Sequence, residues 1–550
     1  MPLYLGLDSS TQSLTAIVID SDRNEVVYES SLNFDQELPQ YGTTHGVLPR
    51  AQPDVAMSAP VMWADALDVM FGRIAKSGVE VGRIAKSGVE VGRIAAICGS
   101  AQQHGSVYLN RRAAAGIGTL DPSQPLAGQV APMLSRQESP IWMDSSTSAE
   151  CREITDAVGG AGPLSQHTGS RAFERFTGPQ IRKFFKTEPA AYDATGRVHL
   201  VSSFMASLLA GADAPLDPGD GSGMNLMHLS SGDWWEPAVS ATAPGLRDRL
   251  PVVRPAWTIA GTLSRYWQRR HGFPAARVVA WSGDNPCSLI GTGLVREGRV
   301  GVSLGTSDVI FGLMEEPRVD GTGTGHVFGA PTGAFMGLTV FKNGSLARER
   351  VRDGFRLSWP EFSRLLESTP AGNNGRIFLP WYEPEITPPV SAAGVHRYGL
   401  AEDDAPGHVR GVIEGQMMAI ARHSRWMEVD VDTIYATGGA SANRQILQVM
   451  ADVFKARVFQ LEVGNSAALG AALRARHADA AAEGETLPWE QVIEGLVEPV
   501  AASRIEPRPA PHAVYLELMK VHTACEAHAL GRGPDPSAAL RAFAERHQQA

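Results

Sequence analysis

Asp8 ends a short apolar run, residues 3–7, and Ser9, Ser10, Thr11, Gln12 and Ser13 follow it before a second apolar run over 14–19. Small residues let backbone N–H groups come close to an anion, and hydroxyls add donors. A carboxylate beside such a turn is placed to bind Mg²⁺ directly or through water. The pattern recurs at Gly305, Thr306, Ser307 and Asp308, after the run 300–304 and before the run 309–314. Two such turns facing each other could hold a polyphosphate between two domains. Either turn alone also reads as an ordinary hairpin whose Ser and Thr cap the backbone. Their likeness favours the phosphate reading.

Asp284 lies in Gly283-Asp284-Asn285, at the end of an apolar run over 278–281. A carboxylate there can protrude into a cleft and take the proton of a hydroxyl that receives phosphate. An Asx-turn or a helix cap is the alternative. For His104 the default is a structural histidine with satisfied nitrogens. Thr437-Gly438-Gly439-Ala440-Ser441-Ala442-Asn443 opens a helix after a strand, a surface suited to a flat nucleoside or a phosphate. No Gly-x-x-x-x-Gly-Lys-Ser/Thr loop occurs, and no protein-kinase set of the HRD and DFG kind.

The elements that must position these residues read as α/β. A chain of 550 residues exceeds the size of one core, about 300 residues, so two domains are expected. Strands over 3–7, 14–19 and 25–28 form a meander. A helix is expected over 63–71, strands over 95–98, 278–281, 300–304 and 433–436, and a helix over 443–454. Residues 121–140 read as a long loop, 148–210 as mostly helical, and 534–550 as a polar helix. The boundary falls just before residue 300, dividing the chain into 1–295 and 296–550. The sequence GRIAKSGVEV occurs twice in succession, over 72–81 and 82–91. Two copies are too few for a solenoid, so a tandem duplication lengthening a helix-to-strand connection is expected.

Composition narrows the class. Apolar residues at 43% and charged residues at 20% are globular values. A net charge of -10 argues against a nucleic-acid partner. Cys98, Cys151, Cys287 and Cys525 form no CxxC pair, which suits a reducing compartment and disfavours zinc. The N-terminus lacks the character of a signal peptide, and no apolar stretch of about 18 residues occurs. A cytoplasmic protein without a membrane or nucleic-acid partner is expected.

Taken together, these residues resemble the FGGY family of carbohydrate kinases, on the duplicated ribonuclease-H-like fold shared with actin and hexokinase. The likeness is carried by Asp8-Ser9-Ser10-Thr11-Gln12, Gln102-Gln103-His104-Gly105, Ile141-Trp142-Met143-Asp144, Arg171-Ala172-Phe173-Glu174-Arg175 and Asp220-Gly221-Ser222-Gly223. The second half adds Gly283-Asp284-Asn285-Pro286, Ser303-Leu304-Gly305-Thr306, Lys342-Asn343-Gly344-Ser345 and Thr437-Gly438-Gly439-Ala440. Within the family the likeness runs to kinases of D-xylulose, of the longer type that also occurs in animals.

The resemblance implies two ribonuclease-H-like domains with an interdomain cleft, ATP and Mg²⁺ as cofactors, and phosphorylation of D-xylulose to D-xylulose 5-phosphate. It implies Asp284 as general base, with Asp284, Asn285, His104, Arg175 and Gln103 at the sugar. Asp8 would hold the metal. Thr11 and Gln12 would lie near the terminal phosphate, with Gly305 and Thr306 across from them. Gly438, Gly439 and Asn443 would receive adenosine, and Trp359 would flank the base. The expected partners are a small-molecule sugar and, as a homodimer, a second copy of the chain. Ser10 stands where many members have glycine, and Gln103 where many have methionine. Gln103 leaves the sugar open, so a kinase of ribulose, fuculose or glycerol is the alternative. A non-catalytic actin-like nucleotide-binding module is a second alternative, which Asp8 and Asp284 disfavour.

Overall fold

The computed structural model describes residues 2–77, 89–462 and 464–547. Apolar runs joined by small-residue turns build one central sheet in each half of the chain. In the first, β1 (Leu3–Ser9), β2 (Ser13–Asp20) and β3 (Glu25–Asn33) form an antiparallel meander. β4 (Ile94–Ala101) runs parallel to β1, and β5 (Ile259–Thr262), β6 (Arg277–Val279) and β7 (Ser282–Gly283) complete the seven-stranded sheet. Its order is β3-β2-β1-β4-β6-β5, with β7 also paired to β4.

The second sheet holds β8 (Arg299–Leu304), β9 (Asp308–Met314), β10 (His326–Gly329), β11 (Phe335–Phe341), β12 (Thr433–Thr437) and β13 (Arg457–Gln460). Its order is β10-β11-β9-β8-β12-β13. The paths β1-β2-β3-β4-β6 and β8-β9-β11-β12-β13 are the same. Each has a hairpin, a third antiparallel strand outside it, and two parallel strands on its other side. The α/β class with one unit used twice is therefore as expected.

Alternation along β1 sends Leu3, Leu5 and Leu7 to one face. There α1 (Pro60–Ser77) covers them with Trp63, Leu67, Met70 and Phe71. The helix is longer than the 63–71 expected, because proline is tolerated in its first turn and Ile74 still reaches the buried face. Most of the second GRIAKSGVEV copy, residues 82–88, lies outside the described residues. The two described flanks touch: the Val89 N–H points to Ser77 Oγ at 3.4 Å. The loop expected over 121–140 contains helical turns at Leu126–Val130 and Ala131–Met133, since Leu126, Val130 and Met133 are buried against α1's core.

The link between halves is α2 (Asp284–Gly291). In the second half, α3 (Trp359–Ser368), α4 (Ala405–His423) and α5 (Arg444–Phe454) cover the sheet; Val412, Ile413 and Met417 of α4 meet Val300, Val302 and Ile434. α6 (Ser466–Ala482) then returns to the first half, where Ala468, Ala472 and Leu473 pack with Tyr4, Ile17, Ala96 and Cys98. α2 and α6 cross at two glycines. A Cβ on Gly291 would lie 1.9 Å from the Ser466 carbonyl oxygen, and one on Gly470 would lie 1.9 Å from that of Cys287.

β10 makes a second junction. Its Val327 N–H donates to Gly169 O at 3.0 Å, and its Gly329 N–H to Ser222 Oγ at 3.0 Å. An edge strand of the second sheet is thus docked on the first half. No described helix is long and apolar enough to cross a membrane.

Candidate active site

Gln103, His104, Arg175, Asp284 and Asn285 line one cavity of about 780 Å³, whose opposite wall comes from the second half at Val309, His326 and Leu338. β4 delivers Gln103 and His104 just past its end, and β7 delivers Asp284, the first residue of α2. Asp284 Oδ1 accepts from its neighbour's backbone, Asn285 N at 2.8 Å, and from Asn285 Nδ2 at 3.0 Å. Asn285 Nδ2 also donates to Gln103 Oε1 at 2.8 Å, and Gln103 Nε2 lies 3.4 Å from Gly219 O. The Asn285 amides therefore hold Asp284 Oδ1, in a residue that lines the cavity. The local turn that the sequence allowed is present at Asp284, and the carboxyl still lines the cavity. Burial and the nearby Asp8 charge push its carboxyl up to about 7.

His104 adopts a left-handed φ of 70°, uncommon for a residue with a side chain. Its Nδ1 lies 2.8 Å from Gly223 O. A carbonyl only accepts, so Nδ1 carries the proton and Nε2 keeps its lone pair. Burial, helped by the Arg175 charge, pushes the imidazole down to about 3, so the ring is neutral at physiological pH. One nitrogen is satisfied structurally, and the other is an acceptor for a hydroxyl.

Asp8 lies near the end of β1. Its Oδ1 is buried without a hydrogen-bond partner, and burial pushes its carboxyl up to about 6. A desolvated, unpaired carboxylate oxygen fits a divalent cation. Among the described residues no three His, Cys, Asp or Glu side chains cluster as a metal cage. Mg²⁺ takes one or two carboxylates and keeps waters or phosphates for the rest. In the following turn, Ser10 Oγ bonds within the hairpin, 3.1 Å from Ser13 O. Thr11 Oγ1 accepts from the Trp142 indole N–H at 2.8 Å, and Trp142 lines the same cavity as Asp284. Gln12 is exposed, and its carbonyl holds Phe34 N at 2.9 Å.

A second cavity of about 850 Å³ is lined by Gly305, Thr306, Trp359, Gly439 and Asn443. The second turn is held from behind. The Arg348 guanidinium makes two bonds to Asp308, at 2.8 and 3.0 Å, and the pair is almost fully buried. Gly438 has a φ of 82°, and a Cβ there would lie 2.6 Å from Leu304 O; at Gly439 a Cβ would meet nothing within 4 Å. Gly438 thus fits the turn against β8, and Gly439 opens it to the cavity. A 3₁₀ turn, Gly439–Ala442, intervenes before α5, so the helix does not open directly after the strand. Asn443 caps α5 through Oδ1, accepting from Gln445 N at 3.0 Å and Ile446 N at 3.3 Å. Trp359 is 40% exposed, with the Arg352 guanidinium 4.6 Å from its ring centre.

The two turns thus serve different cavities, Thr11 touching the wall of the first and Gly305 and Thr306 lining the second. Reading the sequence singled out none of Trp142, His326, Arg348 and Arg474 as a site residue. Trp142 lies within Ile141-Trp142-Met143-Asp144, a stretch that carries the family likeness, and this is its signal. The other three have no local signal, because their partners are distant in sequence.

Residues 137–291 match the model described as the FGGY family of carbohydrate kinases, N-terminal domain, and residues 300–478 match its C-terminal domain. The chain is 40% identical to the xylulose kinase of Mus musculus over 544 residues, 97% of this chain and 95% of the mouse protein. It is 41% identical to xylulose kinase 2 of Arabidopsis thaliana over 522 residues, 90% of this chain and 91% of the plant protein. The crystal structure of xylulose kinase from Rhodospirillum rubrum superposes with a TM-score of 0.77 at 21% identity, covering 96% of this chain and 99% of that one.

Proposed function

The chain belongs to the FGGY family of carbohydrate kinases, and from that premise we propose that it transfers the terminal phosphoryl group of ATP to D-xylulose, giving D-xylulose 5-phosphate. The observation that carries the reading is the pairing of Asp284 with Asn285 inside a cavity walled by both halves. Phosphoryl transfer depends on positioning and charge neutralisation more than on covalent chemistry.

In this reading the Asp284 carboxylate accepts the proton of the sugar's terminal hydroxyl as that oxygen attacks phosphorus. Asn285 fixes one Asp284 oxygen and leaves the other for the hydroxyl. His104 Nε2 accepts from a second hydroxyl, and Arg175 donates to the sugar. Gln103 acts on the sugar side through Asn285. Thr11 and Gln12 approach the terminal phosphate from the first half, Gly305 and Thr306 from the second. Gly438, Gly439 and Asn443 receive adenosine, with Trp359 against the base. Mg²⁺, when bound, neutralises phosphate charge, and Asp8 would hold it. Closure of the halves, taken as 1–295 and 296–550 with α6 crossing back, would exclude water and limit ATP hydrolysis.

The four cysteines are buried and free, which supports work in the reducing cytoplasm. A homodimer belongs to the same proposal and is checked by sedimentation. The deciding experiment is ADP release across a panel of pentuloses and polyols. D-xylulose is expected to give the highest kcat/KM; release indifferent to added sugar would overturn the kinase reading, and preference for another ketose or polyol would overturn the substrate.

A further inference from the structure

We propose that His326, on the edge strand of the second half, is the positioning residue that aims the Arg175 guanidinium into the sugar cavity. The inference rests on reading that cavity as the sugar site.

His326 is 2% exposed and lines the cavity from the strand whose Val327 and Gly329 dock on the first half. Its Nδ1 lies 3.1 Å from Ser170 Oγ, and its Nε2 lies 3.5 Å from Arg175 Nη2. A guanidinium only donates, so the nitrogen facing it must present a lone pair. The ring proton is therefore on Nδ1, where Ser170 Oγ accepts it. Burial and the Arg175 charge both disfavour a second proton, so the ring stays a neutral acceptor.

The arrangement is held on each side. Ser170's carbonyl accepts from Asn225 Nδ2 at 2.9 Å. The His326 ring packs on Phe173 with centroids 4.8 Å apart and stacks on Phe328 at 5.9 Å. Arg175 itself lies over Phe173 at 5.0 Å and Phe176 at 5.6 Å, and among the described residues it forms no salt bridge. Aromatic faces set the plane of a guanidinium but not the direction of its N–H bonds. His326 Nε2 supplies that direction. Because β10 carries it, the sugar site of the first half is complete only when the second half is docked.

The test compares His326→Leu, which removes the acceptor, with His326→Gln, which keeps an acceptor oxygen at similar reach. In His326→Leu the KM for D-xylulose is expected to rise about tenfold or more, with kcat within about threefold and the KM for ATP unchanged; His326→Gln recovers most of the loss. In an Arg175→Ala background, adding His326→Leu raises KM by no more than about twofold. An unchanged KM, or effects that multiply across the two sites, overturns the proposal. Histidine ¹⁵N spectra of the wild-type protein provide a readout that needs no turnover. A protonated Nδ1 on His326, lost in Arg175→Ala, supports the proposal, and a protonated Nε2 overturns it. If no pentulose is phosphorylated, the substrate assignment fails while the tautomer still decides the contact, and the KM comparison moves to the sugar the panel identifies.

Discussion

The Arg474 guanidinium lies 3.3 Å from the Asp217 carboxylate, and both groups are fully buried in the first half although Arg474 belongs to α6. The same Nη2 donates to Ala280 O at 2.9 Å and Ala256 O at 3.0 Å. Asp217 in turn accepts from Ser282 Oγ at 2.9 Å. Ala280 and Ser282 are the residues leading into Asp284. A side chain that follows the Gly438-Gly439 turn in sequence thus fixes the backbone from which the proposed base projects.

Arg474→Met leaves Asp217 buried and unpaired, and is expected to lower stability by about 3–5 kcal/mol. Adding Asp217→Asn removes the stranded charge and restores part of the loss. Denaturant unfolding measures both, and a double variant no more stable than Arg474→Met would contradict the pairing.

Asp284→Asn is expected to lower turnover by about 10²- to 10⁴-fold, the contribution of a positioned base. Nucleotide affinity, read by calorimetry, should stay within about twofold, since Asp284 does not line the cavity proposed for the nucleotide. Near-normal turnover would remove Asp284 from the reaction.

The raised carboxyl of Asp284 gives the pH profile a sign. As the proposed base, Asp284 acts in its carboxylate form, so kcat/KM for the free enzyme should fall as pH drops through about 7. Stability runs the other way. Between the unfolded value of about 3.9 and the folded value the native state binds the proton more tightly, so this group's contribution declines as pH rises. Without its cofactors, Asp284→Asn should therefore melt higher than wild type at pH 8, with a smaller gap at pH 5. An equal gap at both values would refute the burial argument.

Gly438 and Gly439 should separate structure from binding. At Gly438 an added Cβ meets the Leu304 carbonyl, so Gly438→Ala should lower the melting temperature as well as the ATP affinity. At Gly439 the Cβ meets no protein atom, so Gly439→Ala should keep its melting temperature and raise the KM for ATP alone. The reverse pattern would misassign the cavity.

Deleting residues 82–91 should leave kcat within about twofold, because the described residues on either side already meet. The preceding copy is identical, so Val79 would stand where Val89 stands, and the Ser77 and Val89 flanks already touch. A large loss of kcat would give the repeat a role.

What was legible in the sequence is local chemistry on strand ends. Asp8, the turn at Gly305 and Thr306, and Gly438 and Gly439 each carry their signal within a few residues, because a turn's backbone geometry is written in its own small side chains. Asp284 was legible as a carboxylate beside glycine, while its environment was not. Asn285, adjacent in the chain, and Gln103, far from it, set its orientation together. His326 and Arg474 were opaque for a stronger reason. Both are contributed by one half to the other, across contacts that depend on how two folded units dock. Helix ends were missed where burial overrode local propensity, as when α1 continued past Gly72 to place Ile74 in the core.

The return of α6 to the first sheet has a consequence for synthesis. Ala468, Ala472 and Leu473 cover the face formed by Tyr4, Ile17, Ala96 and Cys98. At about 5–20 residues per second, a nascent chain carries that face uncovered for roughly 20–75 s after β4 emerges from the ribosome. Ribosome-bound chains arrested short of Ala482 should recruit chaperones that hold apolar surface, and chains arrested well beyond it should shed them.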